Sequence, residues 1–107
     1  MLTKKLIVAV LFALLMAAGA AQAGGDPARG KELSVDCVDC HGEDGKGDDE
    51  TPAIAGLDEA FAIEQMQAFK SGERPDDQDA MLMYVEELSD QDMADLAAYY
   101  ASLPGKE

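Results

Sequence analysis

Apolar residues along the chain fall into two regimes. Leu6–Ala18 is an unbroken run of 13 apolar residues. Beyond Gly24 the apolar positions thin out and take helical spacing. Ala62 or Ile63, Met66 and Phe69 form a stripe that predicts a helix from Asp58 to Lys70, closed by Ser71-Gly72. Met93, Leu96, Ala97 and Tyr100 stand at i, i+3, i+4 and i+7, which marks the buried face of a last helix. Ser89 can cap that helix, Leu88 and Met93 occupy the two staple positions, and Pro104-Gly105 stops it. Asp26-Pro27 fits a cap followed by proline at the first helical position, opening a short helix through about Asp36. Between these elements, Gly42–Gly56 reads as a long loop and Glu73–Ala80 as a polar, irregular stretch. No alternating strand, internal repeat or linker interrupts the pattern. It predicts an all-α chain of three to four helices with long loops.

The long apolar run is too short for the roughly 20 residues of a spanning helix. Lys4 and Lys5 precede it, and Ala21-Gln22-Ala23 supplies a small-residue cleavage site before Gly24. This is the layout of a secretory signal peptide. Residues 1–23 are therefore expected to be removed after Ala23. A single domain spanning 24–107 would remain, exported to a periplasm and without a membrane span.

Composition sharpens the picture once that leader is set aside. Residues 24–107 hold 33 apolar residues, 11 of them alanine, so only 22 bulky apolar side chains remain for a core. A domain this small is marginal on burial alone and calls for a staple such as a disulfide, a metal or a cofactor. Six basic residues stand against 22 acidic ones in the same segment, a formal charge of −16. That sign excludes a basic nucleic-acid binder.

The candidate staple is Cys37-Val38-Asp39-Cys40-His41, which contains both cysteines and the one histidine of the chain. C-x-x-C-H is the attachment signature of c-type haem. Two thiols three positions apart can each form a thioether to one of the two vinyl groups on a haem edge. The adjacent imidazole is then available to the iron. Three other chemistries use C-x-x-C. A thiol–disulfide oxidoreductase wants a βαβ context and a stabilised thiolate, whereas this chain shows no strands and places Asp36 and Asp39 beside the thiols. A structural zinc site wants four Cys or His ligands, and three exist here. A plain Cys37–Cys40 disulfide is the remaining alternative. A calcium loop at Gly45–Asp49 fails the EF-hand spacing.

A second imidazole is impossible, so a sixth iron ligand from this chain would be a methionine. Met66 and Met93 lie on apolar helix stripes, where methionine ordinarily fills core. Met81 and Met83 lie just before the last helix, where a loop can lay a thioether over an open haem face. The residues alone leave these two open.

The segment 26–104 resembles the small class I cytochromes c. It is most similar to cytochrome c4 domains, cytochromes c553 and the haem subunits of flavocytochrome c sulfide dehydrogenases. Gly30-Lys31-Glu32-Leu33, the haem motif through Gly42, Pro52-Ala53-Ile54-Ala55-Gly56, Phe69-Lys70-Ser71-Gly72-Glu73-Arg74 and Leu88–Tyr100 carry the likeness. The resemblance implies a class I cytochrome c fold around one haem c bound covalently through Cys37 and Cys40. It implies His41 and Met81 as axial ligands, Met81 standing eight positions before Ser89. It further implies that the Pro52 carbonyl accepts a hydrogen bond from His41, and that Gly30 and Leu33 meet Leu96 and Tyr99 where the first and last helices cross. A second methionine, Met83, and Tyr84 depart from the pattern close to the ligand.

On this reading the protein is an electron carrier, not an enzyme, that passes single electrons between redox partner proteins. The alternative is the electron-accepting haem subunit of a larger oxidoreductase, paired with a flavoprotein. Asp36, Asp39, Glu43, Asp44, Asp48, Asp49 and Glu50 crowd the haem motif, and Asp76, Asp77 and Asp79 precede Met81. They read either as a docking face for a basic partner or as a generally solvated acidic surface. The thin core gives a direct expectation. Without haem, the 24–107 chain should be largely unfolded by far-UV circular dichroism, and a native-like helical spectrum of haem-free protein would overturn the role assigned to the cofactor.

Overall fold

A computed structural model describes residues 24–76 and 79–105. The leader read at residues 1–23 lies outside the described residues, as does Asp77. Helix α1 (Pro27–Leu33) starts where Asp26 turns its carboxylate back to accept from the Ala28 N–H at 3.0 Å, with proline at the first position. One 3-10 turn, Ser34–Asp36, carries it into the four-residue helix α2 (Val38–His41). Helix α3 (Glu59–Ser71) is capped by Asp58, which accepts from the Phe61 N–H, and ends at Gly72 in the left-handed region. Helix α4 (Ala80–Val85) and helix α5 (Asp90–Ala101) complete the described elements, which include no strand.

The all-α expectation holds, with five α-helices where three to four were expected. The surplus is the single turn α2 and the short α4. Met81 and Met83 were expected on an irregular segment, and both lie on α4 instead. Its residues Ala80-Met81-Leu82-Met83 are good helix formers. Its start escapes the usual signature because the capping carboxylate stands five residues upstream. Asp76 accepts from the Met81 N–H at 3.0 Å, reaching over Asp79, which adopts a left-handed φ of 53°.

α5 is the spine of the molecule. Ser89 and Asp92 form a reciprocal capping box, each side chain accepting from the other's backbone N–H at 3.0 Å. The expected face is buried: Met93, Leu96, Ala97 and Tyr100 are all 5% exposed or less. The stripe on α3 behaves differently. Ala62, Ile63, Met66 and Phe69 are half-buried, and no residue of α3 is fully buried. α3 packs against α4 and α5, and Lys70 Nζ braces it by donating to the Leu88 carbonyl at 2.7 Å.

α1 crosses α5 at backbone distance. A Cβ at Gly30 would lie 2.0 Å from the Asp95 carbonyl oxygen and 2.8 Å from Tyr99 Cβ, so the site admits no side chain. The glycine expected at this crossing is therefore required there. Asp95, on the same face, is 1% exposed despite its charge. Three donors compensate it: the Asp26 N–H at 2.7 Å, Arg29 Nη1 at 2.9 Å and Gln91 Nε2 at 2.9 Å. Arg29 also donates to Asp92 at 2.6 Å, tying the start of α1 to the first turns of α5. A buried carboxylate is tolerated only when its lone pairs are occupied in this way.

Two outcomes follow. Gly30→Ala should cost about 3 kcal/mol, because the added methyl meets backbone that cannot yield; urea denaturation of the haem-loaded protein measures it. The Asp95 carboxyl is held below its ordinary value of 3.8, first by the Asp26 N–H and then by Gln91 and Arg29, against the opposing effect of burial. A depressed folded pKa stabilises above the unfolded value and loses that contribution as acid titrates the group. Stability should therefore fall below about pH 4, and Asp95→Asn should flatten that part of the profile.

Candidate functional site

The sequence elements expected to carry chemistry gather at the junction of the 3-10 turn and α2. Cys37 lies at the start of α2 and is half-buried, while Cys40 is exposed one turn later on the same helix. The spacing places both sulfurs on neighbouring positions of one helical face. Their sulfurs are not joined to one another. Burial pushes the Cys37 thiol above its usual pKa, opposed by the neighbouring Tyr100 hydroxyl and assisted by the Asp36 charge. A redox-active C-x-x-C needs the opposite shift. Among the described residues no three His, Cys, Asp or Glu side chains converge to hold an ion, so Cys37, Cys40 and His41 do not form a zinc-type cluster.

His41 closes α2 and is 6% exposed. Its Nδ1 lies 2.8 Å from the Pro52 carbonyl oxygen, and its own carbonyl accepts from the Gly47 N–H at 2.7 Å. A carbonyl oxygen only accepts, so Nδ1 carries the proton and Nε2 presents a lone pair. The loop that brings Pro52 to the ring is organised by its own backbone. The Gly45 carbonyl accepts from the N–H groups of Ile54 and Ala55, and Asp48 Oδ1 accepts from those of Glu50 and Thr51. Gly47 holds a φ of +66°, and a Cβ there would stand 2.2 Å from the Thr51 carbonyl oxygen.

Tyr100 backs this loop from α5. Its ring lies against Gly45, and its carbonyl accepts from the Gly56 N–H at 2.8 Å. Its hydroxyl is buried beside Cys37 without a well-formed hydrogen bond, and burial raises its pKa far above the usual tyrosine value. Sequence periodicity marks Tyr100 as core and gives no sign that it also stands behind the first cysteine.

The methionines sort by position. Met93 is wholly buried in the core, and Met66 is half-buried on α3. Met81 is half-buried on α4, whereas Met83 is 65% exposed. Two steps along a helix rotate a side chain by about 200°, so the two methionines face nearly opposite ways. The acidic residues around the motif are exposed, as expected, yet some shape the backbone. Asp44 accepts from the Lys46 N–H at 3.1 Å and Asp48 caps the turn described above. Asp76 is a helix cap. Among the described residues no helix is long and apolar enough to cross a membrane.

Haem c needs two thiols on one short helical segment, an imidazole with its distal nitrogen available, and a domain with too little core of its own. The donor set fits. So does the core: seven apolar residues are buried among those described, three of them alanine.

Comparisons with known proteins agree with this chemistry. Cytochrome c4 of Pseudomonas aeruginosa is 40% identical over 99 residues, covering 92% of this chain and 48% of that one. The chain thus spans about half the length of that relative. Cytochrome c-554(548) of Halomonas halodenitrificans is 36% identical over 80 residues, covering 73% of this chain and 96% of its own. Among solved structures, the thiosulfate dehydrogenase TsdBA of Marichromatium purpuratum superposes with a TM-score of 0.67 at 30% identity, over 73% of this chain and 19% of that one. Residues 27–104 match the family described as Cytochrome c from the first turn of α1 to the proline beyond α5. With the C-x-x-C-H segment, the oriented imidazole and the α1–α5 crossing all inside that span, the chain belongs to the cytochrome c family.

Proposed function

We propose that this protein is an exported monohaem cytochrome c that passes single electrons between redox proteins, rather than an enzyme in its own right. Cys37 and Cys40 would hold the haem as thioethers, and His41 Nε2 and Met81 Sδ would be its protein ligands. The observation that carries the reading is the 2.8 Å contact between His41 Nδ1 and the Pro52 carbonyl. A ring fixed in this way presents Nε2 in one orientation and gains basicity at that nitrogen. Haem held here supplies an Fe(II)/Fe(III) couple, which a His/Met ligand pair poises at relatively high potential.

The chain's own part is positional. The Gly47 N–H and the Pro52 carbonyl grip His41 at both backbone and ring, so the ligand need not reorient when the charge changes. Met81 is the half-buried methionine of α4, and the outward placement of Met83 favours Met81 as the sixth ligand. With His41 and Met81 both committed as ligands, the chain would leave no open position for a substrate at the metal. Export and removal of residues 1–23 complete the reading, because the leader has the signal-peptide layout.

A second reading is favoured by one comparison. The fold likeness to one part of a thiosulfate dehydrogenase supports a haem subunit working inside a larger oxidoreductase. Size exclusion and co-purification from the native host separate the two, since a free carrier elutes alone.

A pyridine haemochrome spectrum with intact mass should show one covalently added haem on the matured protein; no added mass would sink the assignment. Met81→Ala should abolish the Met–Fe(III) charge-transfer band while Met83→Ala leaves it. The reverse pattern would move the ligand to Met83.

A further inference from the structure

Met83 and Tyr84, the two residues that depart from the family pattern beside the ligand, have no part in the haem chemistry derived above. Both are large and exposed, at 65% and 44%, on adjacent positions of α4. The surface beside Met83 is shallow and open. A shallow depression there is lined by Asp79, Leu82, Met83 and Glu86, two acidic and two apolar residues that follow one another at helical spacing along α4 and its two cap positions. α4 itself is firmly seated, by the Asp76 cap at one end and by Val85, 2% exposed, at the other. The exposed pair is therefore a feature of an anchored helix and not of a loose strand of chain.

Methionine and tyrosine are side chains favoured at protein contacts: one adapts its shape, the other offers a rigid ring with a polar tip. Carboxylates beside apolar side chains are matched by a surface of opposite sign. The charge of residues 24–107, −16, rules strongly against a second copy of this chain as the occupant. We propose that the outer face of α4 is the docking site for a basic partner protein. Met83 and Tyr84 form the contact, and a lysine or arginine of the partner lies in the depression with its head between Asp79 and Glu86. The inference rests on the electron-carrier reading and names where on the surface the partner sits. It differs from the expectation that the acidic residues around the haem motif form the docking face, because it requires apolar contact as well as charge.

The test is an NMR titration of the haem-loaded, reduced, isotope-labelled chain with a short amphipathic Leu–Lys peptide, with tetralysine as the charge-only control. Amide shifts should centre on residues 79–87, and the Leu–Lys peptide should bind more tightly than tetralysine. Met83→Ser, Tyr84→Ser and Glu86→Gln should each weaken binding about fivefold, close to 1 kcal/mol, while the Met–Fe(III) band of each variant stays in place. Shifts confined to residues 43–50, equal binding of the two peptides, or affinity unchanged in Met83→Ser would overturn the proposal. So would a dimer of the chain alone that covers residues 79–87. Failure of the underlying reading looks different: a chain without covalent haem, or one whose iron does not exchange electrons with ferricyanide, would show it before any peptide is added.

Discussion

The fold depends on one close approach, the crossing of α1 over α5 at Gly30. Backbone meets backbone there, so α1 sits at a height and angle that no side chain at that position could permit. The 3-10 turn and α2 follow α1 without a break, and their placement is inherited from the crossing. The buried Asp95 holds the contact from the side: its carboxylate collects donors from the start of α1 and from α5 itself. Hydrogen bonds on an ionised group of this kind are stronger than neutral ones and are lost together if the helices separate. The site for chemistry is thus suspended from a polar lock rather than from a large apolar core.

The loop between α2 and α3 solves a second problem, how to aim an imidazole with very little mass. It does so with backbone groups. The carbonyl of Gly45 gathers two N–H groups, Gly47 reaches the carbonyl of His41, and Pro52 turns its own carbonyl to the ring. Tyr100 fills the space behind, and the same residue contacts the surroundings of Cys37. One aromatic ring of α5 therefore supports both the loop that orients the histidine and the segment that bears the cysteines.

Much of this is legible in the sequence, for reasons that differ by element. α5 announces itself through Ser89, Asp92 and the spacing of Met93, Leu96, Ala97 and Tyr100, all local signals. α4 does not, because it is only six residues long and its cap, Asp76, lies outside the usual window. Nothing local distinguishes Asp95 from the other acids of α5, and only the arrival of α1, some 65 residues away in sequence, buries it. Asp44 and Asp48 read as docking charge or as solvated acidic surface, yet they also build turns within a few residues of themselves. The half-buried stripe on α3 shows that helical spacing predicts which face turns inward, not how completely it is covered.

The way α4 is held has an evolutionary consequence. It is a short beam fixed at both ends, at one by the Asp76 carboxylate and at the other by Val85 and the Lys70 brace on Leu88. None of those anchors uses the outward positions. Sequence on that outer face can drift without disturbing the residues that hold the helix or Met81 on its other side. On the readings proposed above, recognition and redox function would sit on separate faces of one six-residue element, so a lineage could exchange partners while leaving the surroundings of Met81 untouched.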